Sequence, residues 1–311
     1  MSFLPNPMND TTKAPDPEDL VELATDLAPH HGYNPTASPF VRILRSEAVL
    51  RDVPVLYKPG AVFVLQGSKR GSLDGEIFLY DEEHYLAVSV PVPFRMESDA
   101  TPERPLLAVY IEFEMQMAAD IVLQIEQHTE LKVQKTRGLA SSKMAPDIAD
   151  VLLRLLKALH DPIASAVIGA GILRELQFRL LLGPQGGTMI AALKQEGSSG
   201  KIIKSLAWMR ENMGLEVTIA GLARDVGMSV PSYHVHFRDL TGTSPMQYLK
   251  AMRLHEARLL VARSDKTIAE VAVLVGYVSP AQFSRDFKRH FGRTASEESK
   301  WIRQHLGELA A

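Results

Sequence analysis

Eight side chains near the C-terminus are spaced as on two helix faces, and some of them can form hydrogen bonds with DNA bases. Among them, Arg285 and Gln282 are of the types that form paired hydrogen bonds with guanine and with adenine in the major groove. The eight residues fall into two groups of four, each spaced as on one face of a helix. The groups are Pro231, His234, Val235 and Arg238, then Ala281, Gln282, Arg285 and Lys288. The arginine and the glutamine make double-stranded DNA a candidate partner for these faces.

Aromatic residues determine which face of each predicted helix is buried. Tyr233 and Phe237 are four residues apart, and so are Phe283 and Phe287. Residues four apart lie on the same side of a helix, so each aromatic pair is expected to face a core. The eight DNA-facing candidates are then left exposed on the opposite side.

These helices belong to a sequence unit that occurs twice. The segment that begins at Thr218 recurs 49 positions later at Thr267, with a short helix, a glycine turn and a second helix in each copy. A repeat of this kind indicates a duplicated helix-turn-helix unit. Glycines end the first helices and serines cap the second ones, at Gly227, Gly276, Ser229 and Ser279.

The same pattern would also fit a purely structural helical bundle, or a helix-turn-helix unit that contacts protein. A metal site at His234 and His236 is not expected, because residues two apart on a helix point in different directions. The segment from Ser244 to Ala262 keeps helical periodicity and is predicted to be a helix that holds the two units at a fixed separation.

The C-terminal third carries the tracts SPMQYLKAMRLHEARLLV and TIAEVAVLVGYVSPAQFSRDFKRHFGRT. On these residues it resembles the DNA-binding domain of the AraC/XylS family of bacterial transcription regulators. The resemblance implies two recognition helices in successive major grooves, which lie roughly 34 Å apart. It implies base contacts from Pro231, His234, Val235, Ala281, Gln282 and Arg285. The chain departs from the family pattern at Ala295, where the family usually has proline.

Composition limits the class of protein. The chain has 311 residues, enough for two domains, and no cysteine, which excludes disulfides and thiolate metal sites. Residues 201–311 contain 16 Lys or Arg and 11 Asp or Glu, for a net charge of +5, whereas residues 1–200 have a net charge of −8. A basic C-terminal block favours a nucleic-acid partner.

The N-terminus lacks a basic and apolar leader, and the uncharged stretch 162–173 is shorter than the about 20 residues that span a bilayer. We therefore expect a cytoplasmic protein without a membrane segment.

From residue 36 to residue 117 the hydrophobic pattern alternates with period two. The candidate strands are FVRILRSE, AVFVLQGS, GEIFLYDEE, HYLAVSV and LLAVYIEF. Short strands separated by turn residues predict a small antiparallel sandwich or barrel. The stretch VLQGSKRGSLDGEIFLYDEEHYLAVSVPVPFRMESDATPERPLLAVYIEF also resembles the cupin-like N-terminal effector domain of one AraC-family branch. That resemblance implies a jelly-roll that senses a ligand or mediates assembly.

A barrel of this kind could bind a small-molecule effector in its mouth. The aromatic and charged candidates are Phe63, Arg70, Phe78, Tyr85, Phe94, Arg95, Tyr110 and Glu112. An acidic effector would need the arginines, whereas a neutral aldehyde or aromatic effector would not. No catalytic residue, metal site or cofactor is predicted, because His84 is the one histidine in the strand region and a cupin metal centre needs several.

Two amphipathic helices are predicted between residues 146 and 182. They either cover one face of the barrel or form a homodimer interface, and the family resemblance favours the dimer. The predicted division is a tail with a short helix at 1–35, the effector domain at 36–135, the helical dimerisation or cover segment at 136–183, a linker at 184–200 and the DNA-binding domain at 201–311.

The expected fold class is α+β and multidomain: a cupin-like β-barrel or jelly-roll with flanking helices, followed by an all-α domain with two helix-turn-helix units. The expected function is sequence-specific transcription regulation modulated by a small molecule, with DNA, a second copy of the chain and RNA polymerase as partners. The alternatives are a cupin-type enzyme with an accessory DNA-binding domain, and a nucleoid-type binder without sequence preference.

Overall fold

A computed structural model describes residues 15–129, 137–194 and 197–304. Most of the predicted N-terminal tail, at residues 1–14, lies outside the described residues, as do two positions of the predicted linker, 195–196, and the C-terminal residues 305–311.

The strands of the described ranges form two antiparallel sheets that face each other. The larger sheet has the order β1-β2-β9-β4-β7-β10, and the smaller has the order β3-β8-β5-β6. The strands are β1 (Gly32–Pro35), β2 (Val41–Ser46), β3 (Leu50–Leu56), β4 (Gly60–Gln66), β5 (Ser68–Leu73), β6 (Glu76–Asp81), β7 (His84–Val88), β8 (Pro93–Asp99), β9 (Leu106–Glu112) and β10 (Leu139–Lys143).

Strand β4 shows how the larger sheet is buried on both sides. Val62 and Val64 point into the core between the sheets, and Ala61 and Phe63 point into a second core beneath the helices. Because successive side chains of a strand point to opposite faces, an almost continuous apolar run such as GAVFVLQ suits this central position.

Five helices cover the outer face of the larger sheet. They are α1 (Pro17–Leu27), α2 (Met115–Glu126), α3 (Pro146–His160), α4 (Pro162–Leu182) and α5 (Gly186–Lys194). Asp161 caps α4 by accepting a hydrogen bond from the Ile163 amide, and Pro162 occupies the first turn. Helix α5 lies within the predicted linker, and its Met189 and Ile190 are buried in the core under the helices.

The C-terminal domain is entirely helical in the part that the structure describes. Its helices are α6 (Gly197–Glu211), α7 (Ile219–Asp225), α8 (Val230–Thr241), α9 (Pro245–Arg263), α10 (Ile268–Leu274), α11 (Pro280–Phe291) and α12 (Ala295–Gln304). At the departure from the family pattern, α12 still begins at Ala295, because Thr294 and Glu297 form reciprocal side chain to backbone hydrogen bonds before it.

Helix α9 joins two separate cores. Its first half places Tyr248 and Met252 in the core with α6, α7 and α8. Its second half places Ala257 and Val261 in the core with α10 and α11. The prediction of a helix that holds two helix-turn-helix units together is confirmed, and so is the predicted fold class of a β-rich N-terminal domain followed by a helical domain.

The helical domain packs directly against one end of the β domain. Val90 and Val92, from the loop after β7, are buried in the core of the first helix-turn-helix unit. The Tyr248 hydroxyl donates a hydrogen bond of 2.7 Å to the Pro91 carbonyl, and the Gly138 amide donates one of 2.9 Å to the Leu240 carbonyl. The first unit therefore shares apolar and polar contacts with the barrel.

Candidate nucleic-acid interface and interdomain cavity

Helix α8 is held in place by its aromatic side, as the spacing predicts. Tyr233 and Phe237 are fully buried, with ring centroids 5.6 Å apart, and Phe237 also meets Tyr248 edge to face. The Tyr233 hydroxyl lies 2.7 Å from the Ser205 hydroxyl of α6. These contacts fix the rotation of α8 about its own axis.

The predicted contact residues of α8 are on its exposed side. Pro231, His234, Val235 and Arg238 are all exposed. The helix begins after Ser229, whose hydroxyl accepts a hydrogen bond from the Ser232 amide, and it ends at Gly242 with a φ of 68°. The exposed N-terminal turn is the part of a recognition helix that reaches base edges in related motifs.

Helix α11 repeats this arrangement in the second unit. Phe283 and Phe287 are fully buried with centroids 5.5 Å apart, and Ser279 accepts a hydrogen bond from the Gln282 amide. The opposite side is exposed and carries Ala281, Gln282, Arg285 and Lys288. Arg285 forms no ion pair with any residue between 15 and 304 that the structure describes.

A buried carboxylate that the sequence reasoning missed positions α11. Asp286 is almost fully buried, and its Oδ1 lies 2.7 Å from the Lys250 ammonium of α9 and 2.8 Å from the Arg289 guanidinium. A buried charge of this kind is stable only when it is paired. Asp286 therefore links α11 to α9.

The turn of the second unit has room for glycine alone. Gly276 has a φ of 83°, in the left-handed region that disfavours other residues. A Cβ atom at this position would lie 2.6 Å from the Met213 carbonyl oxygen. The turn therefore packs closely against the loop after α6 and against the Arg253 side chain of α9.

One predicted DNA contact is already paired with the barrel. The Arg238 guanidinium lies 3.1 Å from both carboxylate oxygens of Asp74, at the turn between β5 and β6. Asp74 and Gly75 have φ values of 52° and 82°, as in a two-residue hairpin turn. The tip of this hairpin therefore contacts the first recognition helix.

The eight predicted effector residues lie in three different environments. Phe63 and Tyr85 stack in the core under the helices, and Phe78, Phe94 and Tyr110 belong to the core between the sheets. The three charged candidates are at the surface of the barrel. Arg70 pairs with Asp99, Arg95 with Asp52, and Glu112 with Lys58. None of the eight lines the cavity that follows.

A cavity of about 160 Å³ lies where the barrel meets the helical domain. Strands β1, β2, β3, β5 and β8 form one wall, and residues of α6, the following loop and α9 form the other. The lining is mostly apolar, with a few polar groups, and includes Tyr33, Leu44, Leu50, Val53, Val55, Tyr57, Lys69, Met96, Met213, Met252, His255 and Leu259. Apolar cavities with few polar groups are typical of ligand sites.

Lys69 is the most unusual group of this cavity. Its side chain is 1% exposed, and its ammonium lies 3.3 Å from the Tyr57 hydroxyl. Within the described ranges no carboxylate forms an ion pair with it. Burial lowers the pKa of Lys69 to about 7 and raises the pKa of Tyr33 to about 12.

Two histidines meet between α9 and α11, next to the same cavity. The Nε2 atoms of His255 and His290 lie 3.4 Å apart. Burial, followed by neighbouring cations, keeps the pKa of His255 well below its usual value and lowers the pKa of His290 to about 4. Both rings are therefore neutral at neutral pH.

The described part of the chain contains neither a candidate metal site nor a candidate membrane-spanning helix. It holds no group of three His, Asp or Glu side chains close enough to bind a metal ion. Its helices include none that is both long and apolar enough to cross a membrane.

Family models match both domains. One, described as the AraC-type transcriptional regulator N-terminus, matches residues 37–188. The other, described as a helix-turn-helix domain, matches residues 222–300. The two matches coincide with the β domain with its helices and with the duplicated helical unit.

Curated relatives and solved structures agree with these matches. The HTH-type transcriptional activator RhaS of Salmonella schwarzengrund is 31% identical over 94 residues, which are 30% of this chain and 34% of RhaS. The HTH-type transcriptional regulator ExsA of Pseudomonas aeruginosa is 23% identical over 192 residues, which are 62% of this chain and 67% of ExsA. The match thus spans about a third of the length of RhaS.

The overall architecture is similar to that of ToxT from Vibrio cholerae, in a crystal structure with an unsaturated fatty acid bound. The TM-score is 0.57 at 11% identity, over 87% of this chain and 95% of ToxT, so this likeness concerns the fold. Because family models match the two domains separately and the relatives are regulators of this type, the chain belongs to the AraC family of transcriptional regulators.

Proposed function

We propose that this protein is a sequence-specific, DNA-binding transcription regulator of the cytoplasm, with RNA polymerase as a further partner. The observation that carries the proposal is the matched burial of aromatic residues in α8 and α11. Tyr233 and Phe237 in one helix, and Phe283 and Phe287 in the other, have no exposed surface, so the polar sides of both helices face solvent.

The second unit supplies the strongest base-reading groups. Arg285 has the geometry to pair with guanine and Gln282 with adenine, and each such contact contributes about 1–3 kcal/mol of discrimination. Lys288 lies on the same face, one turn further along, and is suited to phosphate. In the first unit His234 offers the base contact, whereas Pro231 and Val235 offer apolar contact only.

A binding assay with Arg285→Ala tests this assignment. We expect the wild-type protein to bind the DNA upstream of its own gene more tightly than random DNA of equal length and salt concentration. Arg285→Ala should reduce the specific affinity by about 5- to 150-fold, which corresponds to about 1–3 kcal/mol, and should leave binding to random DNA almost unchanged.

Arg104→Ala is the matched control, because Arg104 is an exposed arginine on the barrel that pairs with Glu82, away from the recognition helices. Equal affinity of the wild-type protein for upstream and random DNA would rule out sequence-specific reading and favour the nucleoid-type alternative.

We propose that a small-molecule effector binds in the interdomain cavity rather than among the eight residues singled out from the sequence. Both domains line this cavity, so a ligand there contacts the barrel and α9 together. A ligand changes activity if it binds one arrangement of the domains more tightly than another. The bound fatty acid of ToxT supports an effector role for this type of fold.

We further propose that the protein is a homodimer through α4. This helix buries Ile172, Leu173 and Leu176 in its own subunit, while Ile163 and Val167 on the opposite side are each 75% exposed. Phe178 and Leu182 extend the same side of the helix and are also exposed. Exposed apolar residues clustered on one side of a helix are typical of a protein interface.

Replacing one of these residues by a charge tests the dimer. Val167→Glu should convert the dimer to a monomer in analytical ultracentrifugation, because a carboxylate would be desolvated in the interface. Ile77→Glu, at a 73% exposed position on the edge strand β6, is the control and should leave the mass unchanged. A wild-type monomer at micromolar concentration would exclude the proposal.

The relatives are named as regulators, and we propose that this chain has no enzymatic activity. The alternative of a cupin-type enzyme requires a bound catalytic metal, so detection of stoichiometric metal in the purified protein would support that alternative instead.

A further inference from the structure

Lys69 is a buried amine that pairs with no carboxylate among the described residues, in a cavity that is otherwise mostly apolar. We propose that this cavity binds a small monocarboxylate with a compact apolar body, and that the carboxylate pairs with the Lys69 ammonium. The inference rests on the effector role proposed above and adds the chemical class of the effector.

The surroundings of Lys69 explain why an anion would bind there. Its one hydrogen-bonding partner within the described ranges is the Tyr57 hydroxyl, 3.3 Å away. The other titratable or charged groups that line the cavity are Tyr33, Tyr57, Arg210, His255, Glu256 and Arg258. Of these, Glu256 is the only acid, and no ion pair joins it to Lys69.

A structural role does not account for an unpaired lysine at this position. Removing an ammonium group from water is costly unless a charge and hydrogen bonds compensate, and an apolar side chain of similar length would avoid this cost. Burial already lowers the pKa of Lys69 to about 7, so the amine is poised between its two forms near neutral pH. A bound carboxylate would raise this pKa again by favouring the ammonium.

The size and lining of the cavity limit the rest of the ligand. A cavity of about 150 Å³ lined by apolar side chains holds benzene in a known protein, and this cavity is about 160 Å³. Leu44, Val53, Val55, Met96 and Met252 supply apolar contacts. One ammonium matches one negative charge, so a monocarboxylate of the size of hexanoate or benzoate fits better than a phosphate dianion or a long acyl chain.

The position of the cavity links this ligand to both domains. Lys69 and Tyr57 belong to the barrel, whereas Met252 and His255 belong to α9, the helix that joins the two helix-turn-helix units. A carboxylate held by Lys69 would place its apolar body against α9. Binding would therefore stabilise the docked arrangement of the domains.

Thermal unfolding of the full chain with acid and amide pairs tests the proposal. We expect hexanoate and benzoate at millimolar concentration to raise the Tm of the wild-type protein by several degrees at pH 7, and hexanamide and benzamide to leave it unchanged. The amides have the same shape without the charge, and this comparison needs no variant.

Lys69→Met should abolish the shift caused by the carboxylates, whereas Lys157→Met, which removes an exposed lysine of α3, should retain it. Calorimetry of wild-type protein at pH 8.5 in two buffers with different ionisation enthalpies should show uptake of about one proton per carboxylate bound, because Lys69 is mostly neutral at that pH.

Equal stabilisation by acids and amides would overturn the proposal, and so would a carboxylate shift that persists in Lys69→Met. Stabilisation by a long-chain fatty acid such as palmitoleate, but not by hexanoate or benzoate, would contradict the proposal that the ligand is compact. DNA binding measured without any carboxylate reports on the regulator function separately, so failure of the ligand and failure of the regulator can be distinguished.

Discussion

At the scale of single residues, Lys69 and Arg70 show how one position along a strand changes the role of a side chain. Arg70 was the candidate from the sequence, but it points outward and pairs with Asp99. Lys69 points inward and is buried. Because side chains alternate along a strand, the assignment of β5 as a strand decides which of the two faces the interior.

The burial of Lys69 predicts an unusual dependence of stability on pH. Its pKa is about 7 in the folded protein, against the ordinary value of 10.5. Between these two values the unfolded chain binds the proton and the folded chain does not. Below pH 7 both states carry the proton, and burial of the ammonium lowers the free energy of unfolding by its full amount. As the pH rises above about 7 the folded chain loses this proton, and the free energy of unfolding increases.

Lys69→Met removes this penalty. We expect the variant to be more stable than wild type at pH 6 by about 1–4 kcal/mol in urea unfolding, and the difference to shrink at pH 9. Lys157→Met is again the control, because its ammonium is exposed in both states. A Lys69→Met variant that is less stable at pH 6 would show that the folded protein already pairs the charge.

At the scale of elements, the sequence predicts the helical domain better than the β domain. Helix α10 begins with a capping box, in which Thr267 and Glu270 exchange side chain to backbone hydrogen bonds of 2.7 and 3.2 Å. The helical repeat is local, so the aromatic pairs and glycine turns identify it directly. Because the aromatic pairs are buried, the residues on the opposite sides of the two helices are exposed, among them Arg285, Gln282 and His234.

Several strands and one helix were not identified from the sequence. Strands β3, β5 and β8 (LRDVPVL, SKRGSL and PFRMESD) carry charges that obscure the alternation. Helix α2, MQMAADIVLQIE, follows strand β9 directly and has no side-chain cap. In these elements the tertiary environment, rather than the local pattern, determines the structure.

We predict that the hairpin between β5 and β6 competes with DNA for α8. Asp74 occupies the guanidinium of Arg238, which would otherwise be free to contact phosphate. Asp74→Asn keeps the left-handed turn, since asparagine tolerates positive φ, and removes the charge. An exposed ion pair contributes at most about 1 kcal/mol, so we expect affinity for both specific and random DNA to increase by up to about fivefold.

The salt dependence of this variant provides a second readout, because each additional phosphate contact steepens the logarithmic slope by about 0.9. Glu76→Gln is the matched control. It removes an acid of the same hairpin that pairs with Arg137 instead of the recognition helix. If both substitutions increased the affinity for DNA equally, the increase would be due to net charge alone, and a specific contact of Arg238 with DNA would be excluded.

At the scale of the whole molecule, the docking of the two domains creates features that no single segment predicts. Val90 and Val92 of the β domain complete the core of the first helix-turn-helix unit. The cavity also has one wall from each domain. The sequence patterns indicate the two domains separately, but they contain no signal for the surfaces along which the domains meet.

The central claim is that two recognition helices, fixed by α9, read successive grooves of one DNA face. The most direct test is the affinity of the wild-type protein for its upstream site with base pairs inserted between the segments read by α8 and α11. Five inserted base pairs rotate the second segment by half a helical turn of about 10.5 base pairs. We predict that this insertion reduces specific affinity to the level of a site with one segment scrambled. An unchanged affinity would contradict a fixed pair of reading helices.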